Sequence, residues 1–72
     1  MARLSPDEYN ALEAAITHRQ RLAVVRRGTE YLLTPSRLFM QGGREAIEAR
    51  HPTTGDRMVL VIDELDSIDV MR

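Results

Sequence analysis

The chain has 72 residues, a net charge of −1 and no cysteine. A chain of this size buries only about 60% of the surface its unfolded form exposes, so its core is thin and must hold by apolar packing, with self-association into a homodimer as one aid. No disulfide, thiolate nucleophile or cysteine metal ligand is available, and the near-neutral balance argues against a general nucleic-acid binder.

No apolar run approaches the roughly 20 residues that span a bilayer. Met1-Ala2-Arg3 leads straight into a polar helix start, without the apolar stretch of a signal peptide, so a cytoplasmic protein is expected. The charge is unevenly distributed. Arg19, Arg21, Arg26 and Arg27 fall within a stretch that has no acid, and Asp63, Glu64, Asp66 and Asp69 within one that has no base. Every cation is arginine, whose planar donor fork suits paired contacts better than lysine does.

The first element is strongly signalled. Ser5 is a good N-cap, Pro6 falls at the first helical position, and Glu8 completes a capping box. Leu4 and Tyr9 occupy the two positions of a hydrophobic staple, and Tyr9, Leu12, Ala15 and Ile16 recur at helical spacing. A helix is expected from about Pro6 to His18. Its apolar stripe is narrow, so it must lie on another element.

Beyond Gln20 the pattern is that of strands. Leu22-Ala23-Val24-Val25 reads as a strand from about Arg21 to Arg27, turning at Gly28-Thr29. Glu30 to Thr34 forms a second strand. Pro35, which cannot donate to a ladder, marks a bulge or bend before pairing resumes through Arg37 to Met40. Gly42-Gly43 is a hairpin signal. Arg44 to His51 is a third strand, and Pro52 to Asp56 a loop. Met58 to Ile62 is apolar on both faces, as in a strand covered on both sides. Asp63-Glu64-Leu65-Asp66 interrupts it, and Ser67 to Met71 alternates as a last strand. One helix and five short strands suit an α+β, mainly β domain spanning residues 1–72. In it a strongly bent five-stranded antiparallel barrel (about 21–71) is lidded by the helix.

The residues offer little catalytic or metal chemistry. The acidic stretch lacks the glycine and spacing of a calcium loop, and His18 and His51 are isolated. No serine carries an activation signature, and so small a domain leaves little room for a pocket that separates carboxylate pKa values. No metal, no cofactor and no enzyme activity are expected. Gly42-Gly43-Arg44 lacks the helix that follows a phosphate loop. Two binding surfaces remain. One is acidic and would steer toward a basic partner. The other is the arginine cluster, which on a regular strand would put Arg21 and Arg27 on one side and Arg26 on the other.

The segments "YNALEAA" (Tyr9 to Ala15), "RLAVVRRG" ending at Gly28, "GREAI" (Gly43 to Ile47) and "IDELDSI" (Ile62 to Ile68) resemble the Rho-binding antiterminator family. The family's opening helix carries Tyr-x-x-Leu-Glu-x-Ala. Its third strand carries Gly-x-Glu-x-aliphatic, matched by Gly43, Glu45 and Ile47. The resemblance implies an Sm-like five-stranded barrel that binds the transcription terminator Rho as a protein partner and blocks its RNA-loading surface. It points to Tyr9, Glu13, Glu45, Asp63 and Glu64 as contact positions, with carboxylates competing against RNA phosphates. The chain departs from the family in lacking a cysteine before the helix and in having Asn10 after Tyr9.

The segments "LEAAITHRQRLAVVRRG" and "TPSRLFMQGGREAIEARHPTTGDRMVLVIDELDSIDV" also resemble the barrel of WYL domains of bacterial transcription regulators. Pro35, Gly43 and Asp63 fall on the landmarks of that barrel, and Glu45-Ala46-Ile47 stands where the Trp-Tyr-Leu would be. This resemblance implies a nucleic-acid- or ligand-binding module using Arg21, Arg26 and Arg27. Under either likeness Asp63-Glu64-Leu65-Asp66 is expected to form a tight turn. Leu65 would tuck under the barrel, and one or two carboxylates would cap backbone N–H groups.

Overall fold

The structure, a computed structural model, describes residues 3–71. Helix α1 runs over Pro6–His18 and is followed by strands β1 (Leu22–Arg26), β2 (Thr29–Gln41), β3 (Arg44–Arg50), β4 (Arg57–Val61) and β5 (Ser67–Val70). A single 3₁₀ turn, Ile62–Glu64, stands between β4 and β5. Among the described residues no helix is long and apolar enough to cross a membrane.

Both reciprocal bonds of the expected capping box are made: Glu8 N–H donates to Ser5 Oγ (3.1 Å) and Ser5 N–H to Glu8 Oε1 (2.9 Å). The helix stops where Arg19 takes a left-handed conformation (φ 55°), which lets the Gln20 N–H turn back to the Ala15 carbonyl (2.9 Å). Leu12 and Ala15 face the sheet and are buried.

The strands form one antiparallel sheet in the order β4-β3-β2-β1-β5. Strand β2 is the hinge of this arrangement. Its first half pairs with β1, from Arg26↔Thr29 to Leu22↔Leu33. Its second half pairs with β3, from Thr34↔Arg50 to Gln41↔Arg44. The register shifts between Pro35 and Arg37, which leaves Ser36 as the extra residue of a bulge. Proline is tolerated there because the ladder is already interrupted.

The expected barrel is not formed. Strand β5 pairs with β1 alone and β4 with β3 alone, so the sheet is open at both edges. The chain between those edges is used differently. It turns through Ile62–Glu64, and the side chains of Ile62 and Leu65 (1% exposed) are buried in the core.

The other differences are local. The first hairpin turns at Arg27-Gly28 (φ 51° and 78°) rather than Gly28-Thr29, because a two-residue turn matching the strand twist needs two left-handed residues. Gly42-Gly43 meets the same need in the second hairpin, as expected (φ 58° and 77°). Strand β4 is covered on one side only. Leu60 is buried, but Val59 is 42% exposed because the helix lies over the other half of the sheet, against β2 and β5.

The core contains Leu12 and Ala15 of the helix and Leu22, Val24, Leu33, Ile47, Ala49 and Leu60 of the sheet, with Ile62 and Leu65 closing one end. Leu65 is the plug of this end. Leu65→Ala is expected to cost about 2–5 kcal/mol, as for other buried leucines, read as a lower urea midpoint with an unchanged slope.

Candidate functional site

The turn after β4 ties three parts of the sheet together. Asp66 N–H donates to the Val25 carbonyl (2.7 Å), and its Oδ2 accepts from Gly28 N–H (3.0 Å). The tip of the β1–β2 hairpin is therefore clamped to the segment leading into β5. Three residues earlier, Asp63 receives both arms of the Arg44 guanidinium, with Nε–Oδ2 at 3.1 Å, and Glu64 lies 3.4 Å from the same guanidinium. This planar two-point contact is the geometry arginine forms best with a carboxylate. It fixes the turn to the start of β3. The hydrogen bond from Arg44 holds the Asp63 carboxyl below its ordinary pKa, with charge attraction adding to it, and the same contact raises that of Arg44.

The expected acidic surface is thereby divided. Asp63 and Glu64 are turned toward Arg44. Glu45 accepts from Leu4 N–H at 3.3 Å. Glu48 is flanked by Arg37 (3.6 Å) and Arg57 (3.8 Å) and is largely covered. Tyr9 is 39% exposed and bridges two neighbouring hollows. It shares a small apolar cavity with Leu4, Phe39 and Glu45, and a shallower one with Glu13, Ile16 and Arg37. The structure therefore brings Tyr9, Glu13 and Glu45 to one region, with Glu13 the one of the predicted acids whose side chain makes no hydrogen bond or ion pair among the described residues.

The arginines divide as well, but not as a regular strand would divide them. Arg21 lies at the far end of β1, beside Gln20, Leu32 and Met71. Arg26 and Arg27 lie together at the hairpin tip, where they line an open cleft of about 390 Å³ with Thr29, Tyr31 and Glu64. Arg26 continues the inward row Leu22, Val24, Arg26, so it stands where the inner face of the sheet runs out to solvent.

Across the hairpin, Arg26 opposes Thr29, and Tyr31 is its diagonal neighbour on the same face. The Arg26 guanidinium lies 5.5 Å from the centre of the Tyr31 ring, within cation–π range. Among the described residues neither Arg26 nor Arg27 takes part in an ion pair. The one acid in the cleft, Glu64, is drawn toward Arg44.

The cleft thus presents two guanidinium groups, a hydroxyl and an aromatic ring, on a loop held from behind by Asp66. Sequence reading found the two arginines and Tyr31 as an aromatic able to stack a base, but it did not join them into one site and did not find Thr29. The signal was present as Arg-x-x-Thr-x-Tyr across a two-residue turn, which places Arg26 and Tyr31 on one face of the hairpin. No family model, no curated protein and no solved structure matches the chain.

A depressed carboxyl pKa stabilises the fold above the unfolded-state value, about 3.9 for aspartate, and the gain is lost as pH falls through the folded value. Asp63→Asn is therefore expected to lower the melting temperature at pH 7, with the gap to wild type narrowing steadily below pH ~4. A gap independent of pH between 7 and 2 would show that the Asp63–Arg44 contact contributes no such linkage.

Proposed function

We propose that this chain is a small, non-catalytic, Sm-like binding module of transcription regulation, of the WYL type, acting in the cytoplasm and taking a nucleic-acid strand at the Arg26–Arg27–Tyr31 cleft. The observation that carries this reading is the contrast in pairing. Most of the predicted acidic contact residues are bonded within the chain, whereas Arg26 and Arg27 are held forward without an acid partner beside an aromatic ring.

The chemistry fits such a ligand. Arginine forks bind phosphate at two points, and a guanidinium stacked on tyrosine keeps its donor edge outward. The tyrosine ring offers one face to an unstacked base, a contact worth about 1–3 kcal/mol in single-strand binders. With two cations at the tip, affinity is modest and the salt dependence shallow, since each neutralised phosphate of a single strand contributes about −0.7 to the log–log slope. The order β4-β3-β2-β1-β5, with a 3₁₀ turn before β5 and a helix before β1, supports the Sm-like assignment. That order is common to both resemblances.

Titration of labelled single-stranded RNA and DNA at low salt tests the reading. Binding should saturate, Arg26→Ala and Arg27→Ala should each weaken it at least fivefold, and Tyr31→Leu, which keeps apolar bulk against the core, should weaken it by a similar factor. Arg21→Ala should change it less than twofold. Equal losses at Arg21 and Arg26 would point to diffuse charge attraction and reject the cleft.

A second reading has its own observation. Tyr9 lies in one hollow with Glu45 and in the next with Glu13, and all three are positions that the resemblance to Rho-binding antiterminators assigns to the protein partner. It predicts co-elution with Rho that weakens as salt rises and is lost on Glu13→Arg, with Arg26→Ala retaining it.

A further inference from the structure

Strand β5 ends the sheet. It pairs with β1 from Val25↔Ser67 to Leu22↔Val70, and no described strand lies on its other edge. In an antiparallel pair alternate residues direct their N–H and C=O groups away from the partner, so this edge can accept a further strand. Beside it runs a groove of about 270 Å³ between β5 and the first turns of α1. Its floor is apolar, formed by Leu12, Ile68 and Val70. Its rim is acidic, formed by Asp7, Glu8 and Asp69, and no arginine lines it.

We propose that the groove between α1 and β5 captures an extended basic peptide by strand addition, the peptide alternating arginine or lysine with aliphatic residues. Three features fix the chemistry of the occupant. The open backbone edge calls for an extended chain rather than a helix. In an added strand, side chains at alternate positions fall on one face, so aliphatic groups can meet Ile68 and Val70 on the helix side while the intervening residues fall beside Asp69 on the other face. The rim sets the sign of the charge. The helix N-terminus offsets only about half of one negative charge, which leaves three carboxylates in clear excess and disfavours a nucleic acid or acidic peptide.

A second copy of this chain is a poorer match. Its own open edge, β4, reads Arg57-Met58-Val59-Leu60-Val61, with one cation in five positions against a three-carboxylate rim. The groove is distinct from the arginine cleft, and nothing in this inference depends on nucleic-acid binding.

The probe is a fluorescein-labelled, acetylated hexapeptide alternating arginine and valine, titrated into the full chain with anisotropy as readout. Saturable binding is expected. It should fall at least tenfold on Asp69→Lys and at least threefold on Asp7→Asn, with Glu8 left in place because it caps the helix. Asp69→Thr, a neutral strand former, supplies the same comparison if the lysine variant fails to fold. A peptide of equal charge with its central valine replaced by proline should bind at least tenfold more weakly, since it cannot complete the ladder. Bound peptide should shift the amide resonances of Ser67 to Val70. The inference is overturned by absence of saturation at millimolar peptide, by equal binding of the proline peptide, or by insensitivity to Asp69. Sedimentation showing a dimer whose β5 amides are already protected from exchange would also overturn it, because the edge would then belong to a second copy.

Discussion

The whole molecule depends on β2 changing partners part-way along its length. A straight thirteen-residue strand would run about 43 Å at 3.3 Å per residue, more than the longest dimension of this domain, 30 Å. The bulge at Ser36 divides the strand, lets each half keep a full ladder, and swings the β3–β4 hairpin relative to the β1–β5 pair. One sheet then supplies two walls of a core, and the helix with the Ile62–Leu65 segment closes what remains. A domain with so little apolar surface cannot spare a second layer, so bending its one sheet is how it encloses a core at all.

The same bend sets the electrostatics. It brings the start of β3 and the tip of the β1–β2 hairpin to the turn between β4 and β5, where Arg44 and the Gly28 N–H meet Asp63 and Asp66. The carboxylates of that turn are structural because the fold delivers donors to them. The arginines at the hairpin tip receive no acid in return. A chain of nearly zero net charge therefore presents a cationic cleft at a hairpin tip and an anionic groove beside an edge strand of a single sheet.

Much of this was legible in the sequence. The helix bounds, the hairpin at Gly42-Gly43, the irregularity at Pro35 and the buried Leu65 follow from local chemistry: capping residues, left-handed glycines, a missing donor and a lone leucine among acids. Barrel closure was not legible, because it turns on whether two edges separated by five residues pair or leave a gap for side chains, and local pattern is silent on that. The acidic stretch misled for a related reason. Spacing shows where carboxylates fall, but Arg44 and Gly28, 19 and 38 residues away from Asp63 and Asp66, decide what those carboxylates do. The one-residue difference in turn placement changed only whether Tyr31 stands opposite Arg26 or diagonal to it, since both registers keep the two on one face.

Arg27 holds a backbone conformation that glycine or asparagine would adopt with less strain. The misfit is tolerated because the Asp66 clasp fixes the hairpin from the other side. A long cation at such a position keeps the charge at the hairpin tip at some cost in backbone strain. Replacing Arg27 with glycine would relax the loop and would also remove the charge it displays.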